Sequence, residues 1–353
     1  MVLQSTTSPF APQEMRVLVK GEFTPAFYGA IIGTTLAIVI MVVAFFIAPL
    51  FVAVPLLIVG VFAIVIAYGN IGLKTMILPV NNQFYSYLPS NTTCYISDLN
   101  VKHTTKDNVT LHGIFQENTE NKNQKISERP LVIYCGGNCE RPYLADSFRF
   151  AWDGQPFNSH DILWFAYRGT GPSEGSFGTH RQNVSDVIEI YKRAQKEGYT
   201  NITFIGLSFG GKVVCDAKAA LLQENSELII PLVAAHTFST MDEVFSGNLE
   251  GSNRTALRNI TSFFLKTVGH QHPPVTATHW HKTMGTDNTI IGGEEDDRIM
   301  NKHMALADVF YTRPEPNPFF DFQNKTRSDT TYIGTRVIID RQKHGDVDWT
   351  AMN

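Results

Sequence analysis

Charge is missing from one long stretch of this chain. From Phe23 to Leu73, 51 consecutive residues include no Asp, Glu, Lys or Arg, and most are Ala, Val, Ile, Leu, Phe or Gly. Charged residues make up 18% of the 353-residue sequence, against roughly one quarter in ordinary soluble domains. Cysteine is also scarce. Cys94, Cys135, Cys139 and Cys215 form no Cys-x-x-Cys pair in so long a chain, which excludes a disulfide framework. An excess of positive charge is absent too. The net charge of −4 and pI near 6.3 exclude a strongly basic face, so nucleic acid is not an expected partner. No repeat with a period of 20–50 residues is visible, which removes solenoids and propellers.

The uncharged run is membrane-like. About 20 apolar helical residues cross the roughly 30 Å of bilayer hydrocarbon, whereas one helix over residues 27–69 would run about 65 Å at ~1.5 Å per residue. Pro49 and Pro55 interrupt the run near its middle, where a helix would break or kink. The economical expectation is a transmembrane hairpin, residues 27–47 and 51–69, after an N-terminal tail (1–26) and before a linker (70–91). Gly29 and Gly33 form a Gly-x-x-x-Gly pair that would let the two helices approach, or reflect ordinary glycine content. A hairpin puts both termini on one side, and Arg16, Lys20 and Lys74 favour the cytoplasmic one. Seven Asn-x-Ser/Thr sequons, at Asn91, Asn108, Asn183, Asn201, Asn253, Asn259 and Asn324, pull the other way, since chance gives roughly three.

Residues 1–73 removed, 280 remain, enough for one well-buried domain. Short β-rich runs alternate with helical patterns, so residues 92–353 are expected to form an α/β domain with a mostly parallel sheet flanked by helices. Tyr95–His103 and Val109–Phe115 read as an opening hairpin turning at Lys106-Asp107-Asn108, and Glu117–Glu128 as a polar loop. Strands are expected at 131–134, 160–166, 201–205, 232–238, 289–291 and 332–339, and helices at 183–196 and 210–222. Residues 239–288 have weaker periodicity and would form a short cap.

The chemistry concentrates in a strand that runs through Gly206-Leu207-Ser208-Phe209-Gly210 into a helix. A serine on a sharp strand-to-helix turn is exposed in a strained conformation, flanking glycines give it room, and the helix aims its first amides at a forming oxyanion. With these residues in place, the chain resembles the α/β-hydrolase superfamily, in its small membrane-anchored serine-hydrolase, lipase-like branch. Tyr134-Cys135-Gly136-Gly137-Asn138 is similar to the family's oxyanion turn. The stretch from Tyr167 through Arg168, Gly169, Gly171 and Ser173 to Gly175 is similar to its Tyr-Arg-Gly-x-Gly-x-Ser-x-Gly loop. Ile290-Ile291-Gly292-Gly293-Glu294-Glu295-Asp296 resembles the segment carrying its triad acid, and His344-Gly345-Asp346 the histidine segment.

The resemblance implies roles. Ser208 would be the nucleophile, His344 its general base and then acid, Asp296 the orienting carboxylate, and the amides of Phe209 and Asn138 the oxyanion hole. Asp297 is the rival for the acid, and Glu294 and Glu295 read as a solvated face. Arg168 and Glu174 would order their loop. Nine residues follow His344, so the family's usual terminal helix is nearly absent.

Other features have plainer readings. His270-x-His272 and His279-x-His281 lack a matching carboxylate or cysteine, so they read as cap or surface residues; no metal or cofactor is expected. Cys135, ending a buried strand, should be inert. Leu257, Ile260, Phe263, Phe264 and Val268 share one helical face, either packed on the domain or forming an apolar lid toward bilayer or acyl chain. The expectation is a membrane-anchored serine hydrolase acting on a carboxylic ester or thioester of an acyl lipid or lipidated protein, without nucleic acid. A catalytically silent membrane-tethered binding protein and an amide hydrolase are the alternatives. Acyl length, head group and oligomeric state are not encoded legibly.

Overall fold

The computed structural model describes residues 101–137, 157, 159–170, 173–175, 178–246, 251–267, 277–293, 306–307, 328–332, 334–340 and 347. The uncharged run and the rest of residues 1–100 lie outside them. Among the described residues no helix is long and apolar enough to cross a membrane.

Nine strands form one sheet in the order β1-β2-β4-β3-β5-β6-β7-β9-β8. They are β1 (Val101–Thr104), β2 (Thr110–Gln116), β3 (Pro130–Cys135), β4 (Asp161–Phe165), β5 (Asn201–Leu207), β6 (Leu232–Ala235), β7 (Asn288–Gly293), β8 (Ser328–Tyr332) and β9 (Thr335–Asp340). The six central strands from β4 to β9 pair in parallel, and antiparallel pairs close both edges. The helices are α1 (His180–Lys196), α2 (Phe209–Glu224), α3 (Met241–Ser246), α4 (Gly251–Thr267) and α5 (Ala277–Met284).

Parallel strands are covered on both faces, so they read as continuous apolar runs rather than alternating ones. In β3, Leu131, Ile133 and Cys135 join the core under α1 and α2, while Val132 and Tyr134 join the core on the opposite face. The same alternation places Phe204 on the first face and Ile205 on the second. Val187, Ile190, Tyr191 and Ala194 of α1 and Val213, Val214, Ala217 and Leu221 of α2 complete the first core. Each valine, leucine, isoleucine and phenylalanine among them contributes about 1.5–3 kcal/mol of transfer free energy. The mostly parallel sheet flanked by helices is therefore present as expected.

Three boundaries differ from the sequence expectation, each for a local reason. Helix α1 starts three residues early because Thr179 and Gln182 form a capping box, Gln182 N donating to Thr179 Oγ1 at 3.2 Å and Thr179 N to Gln182 Oε1 at 2.8 Å. Strand β6 stops at Ala235 because His236 adopts φ 44°, which turns the chain out of the sheet. The expected last strand is an antiparallel hairpin, β8 and β9, turning at Gly334 with φ 74°. In the expected cap segment, α3 packs on α4, and α5 packs on α2 with Trp280 Nε1 donating to Thr335 Oγ1 of β9 at 3.0 Å.

Candidate active site

Ser208 sits where β5 passes into α2, with φ 52° and ψ −117°. An L-residue reaches that region only at a cost, on the order of 1–3 kcal/mol, and such strain concentrates at functional sites. The turn is tight enough to need its glycines. A Cβ on Gly206 would lie 2.4 Å from the Gly210 carbonyl oxygen, and one on Gly210 would lie 2.0 Å from that of Cys135. The spacing Gly-x-Ser-x-Gly is thus a steric requirement in this chain.

Backbone and side chain hold the strained residue in place. Ser208 N donates to Ala235 O at 2.9 Å, while Ser208 O accepts from Gly211 N at 3.1 Å and from Thr237 Oγ1 at 2.6 Å. The Ser208 side chain is half-buried and caps no amide of α2. Phe209 opens α2 with its ring 2% exposed, so its amide belongs to the positive end of a 16-residue helix. Thr237 had no signal in the sequence, because its contact with Ser208 crosses between two strands.

The row Leu207–Ala235–Ile291–Ile338 runs straight across β5, β6, β7 and β9, since each is the register partner of the next. Ser208 follows this row by one residue, beyond the carboxyl end of β5, and in the sequence Asp296 follows it by five and His344 by six. That edge is where open α/β sheets bind ligands. Asn138, Asp296, Asp297 and His344 themselves lie outside the described residues, as do Glu294 and Glu295. Val347 is half-buried against Ile291 and Ile338's core cluster, so the chain on both flanks of His344, at Asp340 and at Val347, is attached to the sheet.

In the loop that begins at Tyr167, Arg168 and Glu174 hold the described residues, 167–170 and 173–175, to their neighbours, as expected. Arg168 Nε donates to Asp186 Oδ2 at 2.8 Å and its Nη1 to Asp107 Oδ2 at 2.6 Å, with a further contact from Nη2 to Asp186 Oδ1. Hydrogen bonding from Arg168 holds the Asp107 carboxyl at about 2, and hydrogen bonding to Asp186, then to Asp107, raises the guanidinium. Glu174 Oε2 accepts from Thr110 N at 3.1 Å, and Ser173 Oγ accepts from His112 N at 2.9 Å. These residues tie the loop to α1 and the first hairpin.

Behind the site, His180 Nε2 pairs with Asp216 Oδ2 at 2.7 Å, and Lys212 Nζ, only 1% exposed, pairs with Asp216 Oδ1 at 2.7 Å. Burial lowers the His180 imidazole, against the pull of Asp216. Burial also pushes the Cys135 and Cys215 thiols up to about 12, so neither is a nucleophile. Among the described residues no group of His, Cys, Asp and Glu could hold a metal ion.

On α4, Thr261 and Leu265 face inward, whereas Ile260 is 55% and Phe263 52% exposed. Leu257 is half-buried. The side chain of Phe264, and Val268, lie outside the described residues.

No protein-family model and no curated protein matches the chain. Among solved structures, it is similar to an esterase of Pyrococcus furiosus, Pf2001, at 17% identity and TM-score 0.43, over 69% of this chain and 83% of that one. It is similar to Est1E of Butyrivibrio proteoclasticus with ferulic acid bound, at 16% identity and TM-score 0.47, over 71% and 94%. It is also similar to the mouse alpha/beta hydrolase domain-containing protein 10, at 14% identity and TM-score 0.39, over 69% and 90%.

Proposed function

We propose that the chain is a membrane-anchored serine hydrolase of the α/β-hydrolase superfamily, cleaving a carboxylic ester or thioester through an acyl-enzyme. The observation that carries this reading is the strained Ser208 turn, closed by glycines that admit no side chain. Ser208 Oγ would attack the acyl carbon while His344 takes its proton. The tetrahedral oxyanion would rest on the amides of Phe209 and Asn138. Collapse expels the alcohol or thiol, protonated by the imidazolium that Asp296 orients, and water repeats the sequence in reverse roles.

The 51-residue uncharged run supports a hairpin anchor with the domain on the cytoplasmic side. The exposed Ile260 and Phe263 on α4 support an acyl-lipid or lipidated-protein substrate presented at that bilayer.

The experiment is labelling of the full chain by a fluorophosphonate, wild type beside Ser208→Ala, followed by a screen of short esters, monoacylglycerols, lysophospholipids and acyl-thioesters. The wild type should label and the variant should not. Equal labelling of both removes Ser208 from its role, and no labelling of either favours a silent binding protein. Asp296→Asn should cut turnover by several orders of magnitude and Asp297→Asn only slightly; the reverse moves the acid by one residue.

A further inference from the structure

The core-facing stripe of α1 contains one residue that does not match it. Asn183, Val187, Ile190, Tyr191 and Ala194 recur at helical spacing and all are buried, yet the first of them carries an amide. Asp186 is buried one turn further on, but each of its carboxylate oxygens accepts a hydrogen bond from Arg168. Asn183 has no such arrangement. Its side chain is 0% exposed, and neither Oδ1 nor Nδ2 is hydrogen-bonded to any of the described residues. The backbone N–H keeps its helical bond to Thr179 O at 3.0 Å, so the deficit lies in the side chain alone.

An amide held away from water without a partner costs stability, and buried polar groups are nearly always satisfied by protein or by ordered water. Leucine has the same branched shape and no such cost. The asparagine therefore points to something that pairs with it.

The surroundings say what that is. A Cβ on Gly178 would lie 2.6 Å from Asn183 Oδ1 and 2.6 Å from both Cγ and Cδ of Arg168, so the chain at Gly178 passes close over the amide. Asn183 also lines a cavity of about 20 Å³ between α1 and the strands β2, β3 and β4. Ile133, Phe165 and Val187 give this cavity apolar walls, and Asp186 and Tyr167 line it as well. One water needs about 10–15 Å³ and two to four polar partners. The cavity has room for one.

The partners are at hand. Asn183 Nδ2 is a donor that requires an acceptor. An ionised carboxyl accepts at about four sites, so Asp186 has capacity beyond its two bonds from Arg168. The Tyr167 hydroxyl, which donates to Gly136 O at 2.9 Å, also carries lone pairs that accept. A ligand here must accept from one group and donate to others. A cation does not accept, and Asp186 is already matched in charge by Arg168. An apolar occupant would leave the amide unpaired.

We propose that this cavity binds one ordered water, which accepts from Asn183 Nδ2 and donates to the Asp186 carboxylate and the Tyr167 hydroxyl. The water joins the start of α1 to the end of β4, and its binding is independent of the chemistry at Ser208.

The test is a crystal structure of the full chain at a resolution that shows ordered water, wild type beside Asn183→Leu. The wild type should show a single peak in the cavity, about 2.7–3.2 Å from Nδ2 and within the same distance of Asp186 or Tyr167. Asn183→Leu should lose the peak, because both amide atoms are gone while the branched shape is kept. Its melting temperature should stay level or fall, since the amide and its water leave together. A wild-type cavity without the peak, or a peak that persists in Asn183→Leu, overturns the proposal. So does a melting temperature several degrees higher in Asn183→Leu, which would mean that the asparagine had been unsatisfied. If Asn183→Leu does not fold, the wild-type density decides alone.

Discussion

The Thr237 hydroxyl donates to the Ser208 carbonyl across 2.6 Å, joining the residue after β5 to the loop after β6. The bond pins the strained peptide from the neighbouring strand's side. Thr237→Val keeps the shape and removes the donor. A lost buried hydrogen bond costs about 1 kcal/mol, so the melting temperature should drop by about 2–4 °C. Turnover should fall several-fold with KM unchanged, as calorimetry and steady-state kinetics would show.

Glycine should suit position 208 better than the residue that is there. At φ 52° and ψ −117°, serine and alanine carry the same backbone penalty and glycine carries little. Ser208→Gly should therefore be inactive yet melt a few degrees above Ser208→Ala. Equal melting temperatures would mean that the turn stores no strain.

Lys218 makes stability depend on pH in the alkaline range. Its Nζ donates to Thr286 O and Asn288 Oδ1, both at 2.8 Å, with the side chain 1% exposed. Burial lowers the ammonium to about 8, against the opposing charge of Asp287. The unfolded chain titrates this lysine near ~10.4, so between the two values the unfolded state binds the extra proton. Stability then rises with pH, by up to about 1.4 kcal/mol per unit in that window. Below about pH 8 both states are protonated and the slope vanishes. Urea midpoints at successive pH values should rise for wild type relative to Lys218→Met, and parallel curves would refute the assignment.

The sequons give a test of sidedness sharper than their number. Asn183 is fully buried in α1, whereas Asn108, Asn201 and Asn259 are exposed. A cytoplasmic domain, as proposed, carries no glycan in a eukaryotic host. A luminal one would carry glycans at the exposed three and not at Asn183. Glycosidase digestion of the full chain distinguishes the two by a gel shift.

What the sequence disclosed followed from local chemistry. β3, β5 and β7 were legible because strands covered on both faces are unbroken apolar runs, and Ser208 because its glycines must lie at fixed offsets. The end of β6 was not, since Thr237 and Phe238 continue to look strand-like and only the φ of His236 turns them away. The β8–β9 hairpin looks like one strand in the sequence because its single turn glycine sits within an otherwise β-rich run. The contact between Tyr167 and Gly136 is a side chain meeting a backbone oxygen 31 positions away, which no residue pattern announces.

Gly206 lies opposite Cys135 in the β3–β5 ladder, and the backbone of Gly210 rests on the same cysteine's carbonyl. Only one alignment of these two strands leaves that gap empty of side chain. Slide β5 by a rung and a bulky residue would be driven into the turn that should face the substrate. Under the proposed hydrolase function, turnover is a gauge of strand registration, and in a refolding experiment it should return together with the central sheet, never ahead of it.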